Sequence, residues 1–204
     1  MLKKHNFEGK SYEEAIEKCK SELELDESEL YIKTTEIEGK LFKSGKVELE
    51  VIKKSDVKEY IKDFINTITE NMGLDVKIEV TESDEIFNVV LVSEENGILI
   101  GKDGRTLNAI QLLLRQSLQI ETDNSIKVNV DAGNYKAKKI RNFEYEMKKV
   151  IREVSKTKVE AKLDPMNSYQ RRIIHNLANS FDNITTHSEG EGKERHVIIQ
   201  YKED

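Results

Sequence analysis

Two short stretches carry residue types at a spacing suited to holding an anion. In GILIGKDGRTLNAIQLLL, residues 97–114, Gly101 and Gly104 bracket Lys102 and Asp103 just ahead of an apolar helical pattern. In MNSYQRRIIHNLANSF, residues 166–181, Arg171 and His175 stand four residues apart. A tight glycine turn between two helices leaves the N–H groups that open the second helix pointing outward, and glycine lets another backbone come close. A phosphate fits there, with Lys102 as a mobile positive charge and the partial charge of the helix end as a fixed one. Asp103 has the wrong sign for that contact and suits a solvent-directed position. Arg171 and His175, at about 100° per residue, fall within about 40° of each other on a helix, so both can reach one anion. The plain alternatives are a helix–helix turn that needs glycine for its angles, and a solvated helix face.

What decides between these readings is context, since ten glycines in 204 residues nearly supply a Gly-x-x-Gly by chance. The helix that would carry Arg171 and His175 has Tyr169, Ile173, Leu177 and Phe181 as its apolar stripe, with Pro165 in its first turn and Asp164 as its cap. The long helix before it sorts Ile140, Phe143, Met147, Val150, Ile151 and Val154 onto one arc. Lys138, Arg141, Lys148, Lys149, Arg152 and Lys156 occupy another, and Glu144, Glu146 and Glu153 lie outside it. A one-sign stripe favours phosphate contact over simple solvation. An acidic protein partner is the competing occupant.

The net charge of −6 is unevenly spread. Residues 127–204 hold 16 Lys and Arg against 12 Asp and Glu, whereas residues 1–126 hold 17 against 27. The basic carboxyl third is the part with an electrostatic footprint for a polyanion. With 37% hydrophobic residues, no apolar run of about 18 residues and no signal-peptide h-region in MLKKHNFEGK, the chain is expected to be a cytoplasmic protein that does not span a membrane. The single cysteine, Cys19, falls in the apolar series Tyr12, Ala15, Ile16, Cys19, Leu23 and reads as core. Four scattered histidines give no metal site, and no cofactor is expected.

The elements that position these residues group into three units. In residues 1–53, Ser11 and Glu14 suggest a capping box for a helix, followed by strands in ELYIKTTEI and KVELEVIKK around a turn at Gly39 to Gly45. The second unit starts with a helix whose period is set by Val57, Tyr60, Ile61, Phe64, Ile65, Ile68 and Met72 and which ends at Gly73. Strands DVKIEVT and IFNVVLV follow, then the short helix GILI, the glycine loop, a helix carrying Leu107, Ile110, Leu113, Leu114 and Leu118, and the strand SIKVNVD. The third unit has the long helix, the Arg171 helix, and strands in NITTHS and RHVIIQY.

Residues 55–131 resemble a KH domain of the bacterial type, whose Gly-x-x-Gly loop clamps the backbone of about four nucleotides of single-stranded nucleic acid. IGKDG matches that loop residue for residue. The resemblance implies contacts from Gly97, Ile98, Ile100, Gly101, Lys102, Gly104 and Arg105, with Asp103 in the same loop. The third unit resembles the R-three-H domain, named for an Arg-x-x-x-His pattern and binding single-stranded DNA or RNA. Arg171 and His175 match its naming positions, Arg172 adjoins them, and HSEGEGKERHVIIQ, with Lys193 and Arg195, is similar to the loop and last strand that follow. The order of units resembles the Jag family, also called SpoIIIJ-associated protein or KhpB. Its amino-terminal module usually carries a Gly-Leu-Phe-Gly-x-Gly turn; here residues 40–45 read KLFKSG, which keeps Leu41, Phe42 and the last glycine only.

The expected architecture is therefore α+β in three small domains: a Jag-N-like module at 1–53, a type II KH domain at 54–132 and an R-three-H domain at 133–204. The expected role is non-enzymatic binding of single-stranded RNA, with single-stranded DNA as the alternative. Lys138, Arg141, Lys148, Lys149 and Arg152 join the two motifs as candidate contacts. The resemblance further implies a bacterial post-transcriptional regulator linked to cell elongation and division, a small single-KH partner protein, and an association with the membrane insertase. Two other classes stay open: a phosphodiesterase using His175 and Arg171, which lacks a second base or carboxylate cluster, and a protein-interaction scaffold suggested by the acidic first two units.

Overall fold

A computed structural model describes residues 1–37, 45–122 and 126–202. The turn at 40–45 lies outside the described residues, apart from Gly45. The chain divides into two compact units, Met1–Gly133 and Asn134–Asp204.

The first unit holds two three-stranded sheets. Strand β1 (His5–Gly9), helix α1 (Tyr12–Leu23), β2 (Leu30–Ile37) and β3 (Lys46–Lys53) form the first, in the order β1-β3-β2 with antiparallel pairing throughout. Strand β1 is not anticipated by the sequence reading, because HNFEG is too short to show alternation on its own. Ser11 caps α1 by accepting from Glu14 N–H. The Glu14 carboxylate reaches back one residue further than a capping box requires, to Lys10 N–H at 3.0 Å. Helix α1 buries Ala15, Ile16 and Cys19 against Phe7, Leu30, Leu49 and Val51. Cys19 is thus a core residue, and burial pushes its thiol pKa up.

Helix α2 (Lys54–Asn71) leads into β4 (Lys77–Ser83) and β5 (Ile86–Val92), which pair antiparallel. Strand β6 (Lys127–Ala132) runs parallel to β5, giving the order β4-β5-β6. A parallel pair requires a crossover, and here it consists of α3 (Asn96–Ile100), the glycine loop and α4 (Arg105–Thr122). Val57, Ile61 and Ile65 of α2 and Leu107, Ile110, Leu114 and Leu118 of α4 are buried, as are Phe87, Val89 and Leu91 of β5. Each such side chain contributes roughly 1.5–3 kcal/mol by leaving water. Leu113, assigned from sequence to that stripe, instead faces out with Leu112 and Ile120. Its place on the wheel is about 120° from Leu107 and about 60° beyond Ile110, outside the buried arc.

The second unit contains α5 (Tyr135–Thr157), β7 (Ala161–Lys162), α6 (Ser168–Ala178), β8 (Ile184–Glu189) and β9 (His196–Tyr201), with an antiparallel sheet ordered β7-β9-β8. Helix α6 starts later than the Asp164–Pro165 reading. Leu163 N–H donates to Val197 O and Met166 N–H to Arg195 O, so this segment lies extended along β9. The helix opens instead at a capping box: Asn167 Oδ1 accepts from Gln170 N–H at 3.0 Å, and Gln170 Oε1 accepts from Asn167 N–H at 3.3 Å. Its core face is also rotated from the expected stripe. Ile174 and Ala178 are buried with Ile151, Val154, Val197 and Ile199, Leu177 and Phe181 pack beside them, and Tyr169 is largely outside.

Candidate nucleic-acid interface

The glycine loop is a sharp corner between α3 and α4. Gly101 has φ +67°, Asp103 φ +57° and Gly104 φ +82°, three left-handed residues within four positions. Side chains rarely adopt that region, so glycine is favoured at the first and last of them. At Gly101 there is a second reason: a Cβ would lie 2.1 Å from Thr106 Oγ1. The corner is closed by Gly101 N–H donating to Gly97 O at 2.9 Å and Gly104 N–H to Gly101 O at 3.3 Å. Gly104 is buried beneath, while Lys102, Asp103 and Arg105 are exposed above. Two cations therefore stand at the amino end of an 18-residue helix, where the partial positive charge also lies.

Helix α3 shapes what lies beside the loop. Leu99 is buried and anchors it, Ile100 is half-buried, and Ile98 is 52% exposed next to an exposed Gly97. A Cβ at Gly97 would meet nothing within 4 Å. That glycine is thus required neither by crowding nor by a positive φ. It leaves an open strip of backbone beside an apolar side chain, a surface on which a flat ring can lie.

In the second unit, Arg171 and His175 are joined through β8 rather than projecting side by side. His175 Nδ1 lies 2.7 Å from Thr186 Oγ1, and its Nε2 lies 3.1 Å from Ser188 Oγ. Arg171 Nη1 donates to the same Ser188 Oγ at 3.4 Å. In either tautomer one ring nitrogen donates and the other accepts, and the serine oxygen keeps a lone pair for Arg171. Burial, and then the positive charge of Arg171, hold the His175 pKa below the ordinary histidine value. At neutral pH the ring is uncharged. His175 therefore orients two hydroxyls and, through Ser188, the guanidinium; it is a positioning residue. Arg171 carries the charge of this network and is half-buried, while Arg172 is exposed with its guanidinium 5.5 Å from the Tyr169 ring centre.

Along α5, Lys138, Arg141, Lys149 and Arg152 are exposed and Lys148 is half-buried. The apolar arc is opposite, with Ile151 and Val154 buried and Phe143, Met147 and Val150 packed beside them. Lys193 and Arg195 are exposed on the turn between β8 and β9, which leaves β8 one residue after Ser188. Gly190, with φ +80° and a would-be Cβ 2.7 Å from Glu194 O, makes that turn possible.

Thr186 and Ser188 escape the sequence reading. Their one local mark is the alternation in ITTHSE, where Ile184, Thr186 and Ser188 share the inner side and Thr185, His187 and Glu189 are exposed. Among the described residues no group of three or more His, Cys, Asp or Glu is placed to hold a metal ion, and no helix is long and apolar enough to cross a membrane.

Comparison with known proteins agrees with this anatomy. The family model for the KH domain of KhpA/KhpB matches residues 58–132, and that for the R-three-H domain matches residues 142–201. RNA-binding protein KhpB of Clostridium symbiosum is 32% identical over 201 residues, covering 96% of this chain and 90% of the relative. RNA-binding protein KhpB of Bacillus subtilis is 31% identical over 200 residues, 95% of this chain and 96% of the relative. RNA-binding protein KhpB of Lactiplantibacillus plantarum is 29% identical over 138 residues, 67% of this chain and 42% of the relative. With both domains in this order and such identity over nearly its whole length, the chain belongs to the KhpB family, also known as the Jag family.

Proposed function

We propose that this chain binds single-stranded RNA through two surfaces, the Gly101–Gly104 loop with its flanking α3 and the Arg171–Ser188–His175 network with the basic stripe of α5. The observation that carries the reading is the loop: three left-handed residues, two exposed cations and an open glycine strip at a helix N-terminus. Related chains bear the name RNA-binding protein. Lys102, Arg105, Arg171, Arg172 and the α5 cations contact phosphates, and the strip at Gly97 and Ile98 takes a base. His175 acts by positioning, its two ring nitrogens holding Thr186 and Ser188 beside Arg171. The biological role we propose from membership of the family is post-transcriptional regulation in bacteria connected with cell elongation and division.

The test is fluorescence anisotropy with a labelled single-stranded RNA and the full chain. Lys102→Asp is expected to weaken binding roughly tenfold or more, while thermal unfolding stays unchanged, since the side chain is exposed. Wild-type affinity in that variant would remove the loop from the reading.

A second occupant is favoured by one observation. Leu113 and Ile120, seven residues apart and within about 20° of each other on the wheel, form an exposed apolar row on α4 with exposed Leu112 at its flank, Ile120 being 81% accessible. Such a row suits a protein partner, and a small single-KH protein is the partner proposed for it. Loss of co-elution on size exclusion with Leu113→Glu would support it, and retention would exclude that face.

A further inference from the structure

The centre of the α5 basic stripe is an aromatic ring. Tyr145 is 61% exposed, on the side of the helix away from Ile151 and Val154. At about 100° per residue its direction falls between those of Arg141 and Lys149. Its helix-surface neighbours four residues before and three and four residues after are Arg141, Lys148 and Lys149, all cationic. Lys149 Nζ sits 4.4 Å from the ring centre, a cation held against one face. A ring this accessible keeps its other face open to solvent.

The fold gains little from exposing a tyrosine this far beyond its contact with Lys149. The apolar arc is complete without it, and a polar side chain would hold the helix as well. Cations alone would suffice for a surface that only neutralises phosphates. Flat rings set among cations are the arrangement that grips unpaired nucleotides, because every base presents a π-face while the chain charges follow the backbone. Helix α6 repeats the pairing in Tyr169, 48% exposed, with Arg172 over its ring.

We propose that Tyr145 is a stacking platform for one nucleobase of a single strand whose adjacent phosphates are neutralised by Arg141, Lys148 and Lys149. The inference rests on the RNA-binding reading and deepens it: α5 contacts bases as well as the backbone. Stacking on one aromatic face distinguishes bases weakly. This surface therefore holds a strand without selecting its sequence.

The experiment compares the wild-type chain, Tyr145→Ala and Tyr145→Phe against two labelled oligonucleotides of about 12 nucleotides, a uridine homopolymer and an abasic strand of the same backbone. Tyr145→Ala is expected to weaken binding of the homopolymer roughly 5- to 100-fold, as removal of one stacked base does. Tyr145→Phe should bind within about twofold of wild type, because the ring is kept. The abasic strand should bind wild type and Tyr145→Ala equally, and the salt slope should not change, because no charge is removed. Unchanged homopolymer binding by Tyr145→Ala, or an equal weakening with the abasic strand, would overturn the platform and leave the RNA-binding reading standing. A wild-type chain that binds neither oligonucleotide would overturn both.

Discussion

At Gly101 only hydrogen fits: the backbone lies at φ +67°, and any Cβ would come within 2.1 Å of Thr106 Oγ1. Gly101→Ala is therefore expected to cost about 1–3 kcal/mol, whereas Gly97→Ala, with open space and an ordinary φ, should fall within about 0.5 kcal/mol of wild type. Paired denaturant titrations check this; equal stabilities would contradict it. His175 gives a second expectation. Its pKa is lowered in the folded state by burial and by Arg171. Between that lowered value and the ordinary one of about 6.5, the unfolded chain holds more protons. Stability is then fully present above about pH 6.5 and falls as pH drops through that window. His175→Gln should flatten the decline in thermal unfolding temperature between about pH 7 and pH 5, and an unchanged profile would assign the decline to other groups. The candidate phosphate contacts of the loop were legible because glycines and cations announce themselves locally. Thr186 and Ser188 were not, since the partner of a half-buried histidine across a helix–strand contact leaves no mark near that histidine in the chain.

Element by element, helices were legible where their apolar period was long, as in α2, α4 and α5. Starts were legible at Ser11 of α1 but not at α6. Asp164 and Pro165 look like a helix opening, yet Met166 N–H is taken by Arg195 O, and the Asn167–Gln170 box begins α6 three residues later than expected. A tertiary hydrogen bond overrides a local signal there. The two-residue strand β7 and the five-residue β1 are too short for alternation to register, and both exist because a longer strand, β9 or β3, offers them an edge. The cap has a measurable worth. Asn167→Ala should lower the stability of the second unit by about 0.5–2 kcal/mol. Because α6 carries Arg171, it should also weaken RNA binding more at temperatures near unfolding than well below it. Chemical denaturation together with affinity at two temperatures reads both effects.

Across the whole molecule, charge is divided between an acidic amino part and a basic carboxyl third, while each of the two compact units holds one candidate phosphate-binding surface. The order of the main helices and strands was legible from sequence; that the first two sheets share one compact unit was not, because Leu2 N–H donating to Glu121 Oε2 at 3.0 Å joins residues 119 apart. If both surfaces bind, each modest on its own, they reinforce each other, since the second engages at the effective concentration set by the first. The proposal that both surfaces hold the same strand is tested by the salt dependence of single-stranded RNA affinity for the wild-type chain, Lys102→Asp, Arg171→Ala and the double variant. The expected slope falls by about 0.7 for each phosphate that a variant no longer neutralises, with each single variant weakened and the double weakened further. Affinities and slopes equal to wild type in all three variants would contradict it.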